Sequence, residues 1–325
     1  MHANLLQKGD LQLVTCKVCS MVYANPIDEG LASGQFYDQL ATPFYLSPNK
    51  LESDYAPVRF ERELKLFRNL CRRGRVLDVG CSTGAFLAQL QRRFGKDYEA
   101  LGTDVAGPAL DYAESKGVPV LRESFLTADF KGRRFDAVTF WAVLEHLPNP
   151  QAFLSRTASV LEPGGLCFIL VPNFQSLAVR LLRSRYRYIL PQHVNYFTSS
   201  TLARLAKREP GLRVIYEGSS HFNPLVILQD LKRRKQPVSD EERAELLKRT
   251  TGYKNNPALK PIKWALAAVE AVLAGLNLAD NIVIVLQKTG NDAEHEMDRP
   301  TSGDGQLAPR FEPAPSQEKT RKFRK

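Results

Sequence analysis

The sequence predicts an α/β protein built on a doubly wound, mostly parallel sheet. Three observations carry this. Short apolar runs alternate with helix-compatible stretches from about residue 58 to residue 217. The first run, Val76-Leu77-Asp78-Val79, ends in an acid and opens into a glycine-bearing turn, Gly80-Cys81-Ser82-Thr83-Gly84, with an apolar helical stretch behind it. Such a junction points backbone N–H groups and the positive end of a helix dipole at a ligand. A second run ends at Asp104, about 20 residues past that turn, where an acid commonly accepts hydrogen bonds from a ribose.

The bulk numbers bound the class. A chain of 325 residues with 43% hydrophobic and 25% charged side chains is an ordinary globular protein, long enough for one large domain with additions. Five cysteines without a charged-then-apolar leader point to a reducing compartment, and cytoplasmic location is expected. No run of about 18 uncharged apolar residues exists, so no membrane span is expected. The longest candidate, residues 264–278, is interrupted by Glu270 and reads as a buried or amphipathic helix.

In chain order, residues 1–57 form an N-terminal arm. It carries Cys16-Lys17-Val18-Cys19, half of a tetrahedral zinc site, and no second CxxC exists in the chain. Free thiols, zinc completed by ligands from elsewhere, and a redox pair all stay open for Cys16 and Cys19. The aromatics of residues 27–60 (Phe36, Tyr37, Phe44, Tyr45, Tyr55) show no clean period and read as packing of an irregular arm or as a lid. Residues 58–218 form the core. Phe60, Leu64, Phe67 and Leu70 mark a first helix. Strands follow at about 76–79, 99–105, 118–121, 135–141, 166–171 and 212–217. Between them lie helices at about 84–94, 108–116, 150–161 and 198–207, and a turn at Glu162-Pro163-Gly164-Gly165. Residues 219–280 are a mostly helical insertion crossing the charged run Lys232-Arg233-Arg234-Lys235. Residues 281–289 hold a seventh strand. Residues 290–325 are rich in Pro, Gly, Ser, Glu and Lys, and a disordered tail is expected. Five positive charges in its last seven residues suggest that much of the net +10 belongs to this tail, so nucleic acid is not expected as a partner.

The loop chemistry narrows the ligand. A dinucleotide loop would read GxGxxG, and a phosphate loop would need a lysine after its last glycine. Here Ser82 stands at the middle glycine position, no lysine follows Gly84, and an acid precedes the loop. That acid suits a cationic amino-acid cofactor better than a pyrophosphate.

With those residues in view, residues 76–84 resemble the first motif of class I S-adenosylmethionine-dependent methyltransferases. Gly102-Thr103-Asp104, the stretch from Phe135-Asp136-Ala137-Val138 to Leu144-Glu145-His146-Leu147, and Leu161-Glu162-Pro163-Gly164-Gly165 resemble three later motifs in the same order and spacing. Residues 14–26 are similar to the second half of a zinc-binding segment. That segment precedes the domain in a small-molecule branch that includes deoxysugar C-methyltransferases. The branch has another CxxC upstream, where this sequence begins too soon. The resemblance implies a Rossmann-like seven-stranded sheet with an antiparallel last strand. It implies S-adenosylmethionine as cofactor and a small-molecule acceptor such as a sugar or other secondary metabolite. By the same resemblance Asp78 would bind the methionine amino group, beside Gly80, Cys81 and Gly84. Asp104 would hold the ribose hydroxyls, Glu123, Ser124 and Phe125 would lie near the adenine, and Trp141 near the sulfonium end.

Methyl transfer needs a base only where the acceptor must lose a proton. His146, after Glu145, and His193, in Pro191-Gln192-His193-Val194-Asn195-Tyr196-Phe197, are the candidates, with Tyr196 as helper. Two other readings remain: a nucleic-acid or protein methyltransferase, and a cofactor-binding protein of the same fold without turnover.

Overall fold

The computed structural model describes residues 2–28, 30–31, 36, 42–232, 238–255 and 260–290. Tyr37, Arg233, Arg234, Lys235 and the expected tail beyond Gly290 lie outside the described residues.

Residues 2–28 carry order that the sequence did not suggest. Strands β1 (His2–Lys8), β2 (Leu11–Cys16) and β3 (Val22–Ala24) form an antiparallel meander. Its fourth strand is β9 (Asn195–Tyr196), pairing Val22 with Tyr196. Strand β1 is exposed over most of its length and shows no apolar alternation, which is why periodicity missed it. Cys16 and Cys19 sit on the β2–β3 turn, closed by Cys16 N–H to Met21 O at 2.8 Å and Ser20 N–H to Cys16 O at 2.9 Å.

The short helices α1 (Thr42–Tyr45) and α2 (Pro48–Tyr55) lead into α3 (Glu61–Leu70). The core sheet then begins: β4 (Gly74–Val79), α4 (Ala85–Phe94), β5 (Tyr98–Thr103), α5 (Gly107–Ser115), the two-residue β6 (Val120–Leu121) and β7 (Phe135–Trp141). After α6 (Pro150–Val160) come β8 (Leu161–Pro172), α7 (Leu177–Leu182), α8 (Ser199–Ala206) and β10 (Leu212–Ser220). The insertion contributes α9 (Pro224–Lys232), α10 (Asp240–Asn255) and α11 (Lys260–Gly275) before β11 (Asn281–Lys288). Seven strands lie in the order β10-β11-β8-β7-β4-β5-β6, and β11 runs antiparallel to both of its neighbours. Among the described residues no helix is long and apolar enough to cross a membrane.

The expected turn at residues 162–165 is instead an irregularity inside β8. Its pairing to β7 jumps from Phe135↔Leu161 to Ala137↔Leu166, and Gly164 takes φ +79° to absorb the extra residues. Two apolar layers cover the sheet. Phe67, Phe86, Leu87, Leu90 and Phe168 pack on one face, and Phe125, Phe140, Leu154, Ile169 and Leu202 on the other. Burial on both faces explains the continuous apolar runs of the parallel strands. A third cluster joins the N-terminal meander (Leu13, Val22) to Leu182, Ile189, Val226 and Leu246.

Strands β5 and β6 lie to one side of β4, and β7 returns on the other. The carboxyl ends of β4 and β7 therefore flank a switch point, the place where open α/β sheets bind ligands.

Candidate functional site

Asp78 ends β4 with its side chain buried against β7. It pairs across the sheet with Thr139, whose Oγ1 donates to Asp78 Oδ1 at 2.6 Å. Burial pushes the Asp78 carboxyl up to about 7, the Thr139 hydrogen bond opposing and the Asp104 charge adding. The turn that follows takes positive φ at Gly80 (+70°), Ser82 (+49°) and Gly84 (+74°). A Cβ on Gly80 would lie 2.7 Å from Val143 Cγ2, and one on Gly84 2.9 Å from Ala113 Cβ, so packing as well as conformation demands glycine there. The N–H groups of Gly80 and Cys81 donate to Thr103 O at 2.8 and 3.2 Å, lashing the turn to the end of β5. Cys81 is buried, and burial pushes its thiol well up. Among the described residues no side chain caps the N-terminus of α4 at Gly84.

Asp104 folds back onto this turn. Its Oδ2 accepts from Ser82 N–H at 2.8 Å, and its Oδ1 from Val105 and Ala106 N–H at 2.7 and 3.0 Å. Backbone donors thus occupy three of a carboxylate's roughly four acceptor positions, leaving one for a ligand hydroxyl. Beyond β6, Glu123 is exposed and its carbonyl accepts from Thr103 Oγ1 at 2.6 Å; Ser124 is half-buried. The Phe125 ring points into the core against Phe130, Phe140 and Phe153, so only its backbone is left to line a pocket. Trp141 closes β7 between Phe86 and Phe168, ring centroids 5.1 and 6.3 Å away, and its Nε1 finds no acceptor among the described residues.

Helix α2 lies over the glycine turn. The Tyr55 hydroxyl donates to Thr83 O, its ring meets Tyr112 edge-on at 5.7 Å, and the Gln89 amide donates to Asp54 O and Ala56 O at 3.1 Å each. The aromatics of this segment carried no period that would have shown the contact.

A second cluster forms past the end of β7, where the chain makes a 3-10 turn over Leu144–His146. The Asn195 amide donates to Leu147 O at 2.7 Å and brings the segment before β9 onto that turn. The His146 and His193 rings then meet edge-on at 4.7 Å. His146 Nδ1 donates to Gln192 O at 2.9 Å, and its Nε2 lies 3.8 Å from Glu145 Oε1. The Glu145 side chain is 2% exposed, and among the described residues no side chain donates to either of its oxygens. Burial raises Glu145 to about 8 and lowers His146 to about 4. Burial, with the His146 and Arg243 charges adding, holds His193 well below its ordinary value. Both imidazoles are therefore neutral at pH 7. The Tyr196 hydroxyl is committed to Leu190 O at 2.8 Å, so its ring, not its oxygen, faces His193. Ligand atoms of Glu145, His146 and His193 all lie within 4.8 Å of one another, the one set of three or more such donors among the described residues. It follows that no third donor stands beside Cys16 and Cys19 there.

Two residues that the sequence left unassigned face this cluster. Burial raises the Tyr45 phenol, with the Asp104, Glu145 and Asp54 charges adding and Arg243 opposing. Arg243 on α10 stacks 4.4 Å from the Phe44 ring, pairs with Asp240 at 2.8 Å, and depresses both histidines. Nothing in the spacing of residues 42–45 and 243 links them to residue 145.

A family model described as a methyltransferase domain matches residues 54–217. The chain is 28% identical over 173 residues to the ubiquinone biosynthesis O-methyltransferase of Cupriavidus pinatubonensis, covering 49% of this chain and 68% of that one. It is 29% identical over 172 residues to the protein of the same name from Chromobacterium violaceum, covering 48% and 72%. A solved structure from Thermotoga maritima, described as a possible histamine N-methyltransferase, superposes with TM-score 0.51 at 14% identity, covering 79% of this chain and 99% of that one. The [4+2]-cyclase SpnF superposes with TM-score 0.52 at 15% identity, covering 81% and 97%. Identities this low speak for the fold alone.

Proposed function

Because this chain belongs to the methyltransferase-domain family of S-adenosylmethionine-dependent enzymes, we propose that it methylates a hydroxyl oxygen of a small-molecule acceptor, with His193 taking the proton. The observation that carries this reading is the buried triad past β7. Two neutral imidazoles stand against a buried carboxyl with no other side-chain partner among the described residues.

The residues at the first strand fit the cofactor. An acid of raised pKa at the end of β4 suits an ammonium group, and the remaining acceptor position of Asp104 suits a ribose hydroxyl. In this reading Asp78 meets the methionine amino group beside Gly80, Cys81 and Gly84. Glu123, Ser124 and the Phe125 backbone flank the adenine, and Trp141 stands toward the sulfonium end. The cofactor supplies a methyl group already activated on a sulfonium, so the protein's task is to position and to deprotonate.

His193 has one ring nitrogen engaged at the Tyr188 backbone, and the other is the proton acceptor. An imidazolium formed in a buried site needs a counter-charge, and ionised Glu145, within the same cluster, supplies it. Tyr196 orients the His193 ring through packing. An oxygen acceptor and a small molecule agree with the names of the curated relatives.

The test is to incubate the protein with cofactor labelled in its methyl group and an extract separated by ultrafiltration. Label should enter the low-molecular-weight fraction. His193→Ala should lower transfer by about 10²–10⁴-fold while cofactor affinity holds. Transfer rate should rise with pH through about 8 as Glu145 ionises, and Glu145→Gln should flatten that rise. Label recovered in protein or nucleic acid, or full activity in His193→Ala, would sink the reading.

The donor set itself favours a second reading. A divalent cation held by Glu145, His146 and His193 would lower the pKa of an acceptor hydroxyl directly. Activity abolished by a chelator and restored by a divalent cation would select it.

A further inference from the structure

The insertion leaves two helices with bare apolar faces. Along α11 the residues Ile262, Ala265, Val269, Val272 and, just beyond it, Leu276 alternate by three and four, which keeps them on one side of a helix. Trp264 is 76% exposed, Val272 63% and Leu276 64%. From residue 261 to 276 no exposed position is charged. Lys263 is half-buried, and Glu270 turns inward to Arg62 and to the His221 N–H. The face runs for about 24 Å at the rise of an α-helix. On α9, Leu225, Leu228 and Leu231 are exposed at intervals of three while Val226, Ile227 and Asp230 are buried behind them, and Lys232 is exposed at the end. The two helices are tied near their contact with the core. His221 N–H donates to Glu270 Oε1 at 2.8 Å, and Asn223 N–H to Asp280 Oδ2 at 2.9 Å just past α11.

Charge adds an independent clue. Residues 291–325 hold seven Lys/Arg and seven Asp/Glu. The surplus of +10 therefore belongs to residues 1–290, not to the tail as its basic last seven residues suggest.

An uncovered apolar face of this extent marks an interaction surface. A second copy of the chain would cover the helices but would bring two strongly cationic bodies together. A nucleic acid would answer the charge but not the Trp, Val and Leu side chains. An anionic lipid surface answers both. Basic residues are drawn to acidic headgroups, the apolar side of an in-plane helix enters the headgroup–acyl boundary, and tryptophan favours that depth.

We propose that α9 and α11 seat this protein on the surface of an anionic bilayer, with their exposed apolar faces inserted and neither helix crossing it.

The test is vesicle co-sedimentation with the full-length protein. Vesicles of phosphatidylcholine containing about one-third phosphatidylglycerol should bind it about ten-fold or more tightly than phosphatidylcholine alone. The preference should fade near 0.5 M salt, where the screening length is only a few ångströms. Trp264 emission should shift to the blue on binding, and Trp264→Phe should remove that shift, since Trp141 is already packed against Phe86 and Phe168. Val269→Glu combined with Val272→Glu should weaken vesicle binding about ten-fold or more, with cofactor affinity unchanged as the control for folding. The proposal fails if the native chain ignores anionic vesicles. It fails equally if the native chain is a dimer that the double variant dissociates while vesicle binding is the same for both.

Discussion

Two buried carboxyls in this molecule differ in what relieves them. Asp78 has Thr139 as a donor and is still raised to about 7. Glu145 has no side-chain donor among the described residues and, its own backbone N–H opposing, stands at about 8. Each is held with a proton near neutrality, so each is expected to release it when a positive group arrives. For Asp78, in the proposed reading, the positive group is the cofactor's ammonium. Its raised pKa means that the empty protein binds a proton that the complex does not, below about pH 7. Cofactor affinity should therefore rise with pH up to about 7 and level off above it. Calorimetry at pH 6 in buffers of different ionisation enthalpy should show close to one proton released per cofactor bound, and Asp78→Asn should release none. Equal heats in all buffers would remove Asp78 from the cofactor site.

Short connections set the geometry more than the long elements do. The two-residue strand β9 joins the N-terminal meander to the loop that bears His193, and Lys8 of β1 donates to Tyr186 O and Ile189 O at 2.7 and 2.8 Å in the same region. Helix α9 is clamped there as well. Asp230 accepts from the Arg187 backbone N–H at 2.9 Å and from its guanidinium at 2.6 and 2.9 Å, with the pair almost wholly buried. Removing one partner of such a pair strands the other charge. Asp230→Ala should lower stability by about 3–5 kcal/mol in denaturant unfolding. The His193 loop leans on the same clamp, so the methyl-transfer rate should fall more than cofactor affinity does.

Over the whole molecule the two ends of the site come from distant parts of the chain. The side proposed for the cofactor is built from residues 78–141, in chain order. The triad side draws on residues 145 and 193 and faces residues 45 and 243. The balance of charge also belongs to the whole. Since residues 291–325 carry no net charge, removing them should leave both cofactor affinity and binding to anionic vesicles within about two-fold of the full chain, the electrostatic attraction residing in residues 1–290. A large loss of vesicle binding on truncation would move the attraction to the tail's basic last residues.

The sequence by itself determined the sheet and the glycine turn after its first parallel strand. Parallel strands buried on both faces must be runs such as Val76-Leu77 and Ile169-Leu170-Val171, and a left-handed turn packed against Val143 and Ala113 must use Gly80 and Gly84. Those constraints are local, so they are written in neighbouring residues. Only the tertiary structure decided that Phe125 belongs to the core, that residues 162–165 continue a strand, and that β1 exists at all. It also brought Glu145, His146, His193, Tyr45 and Arg243 together. Contacts across 50 to 200 residues leave no period in the sequence, and they depend on the order in which the strands return to the switch point.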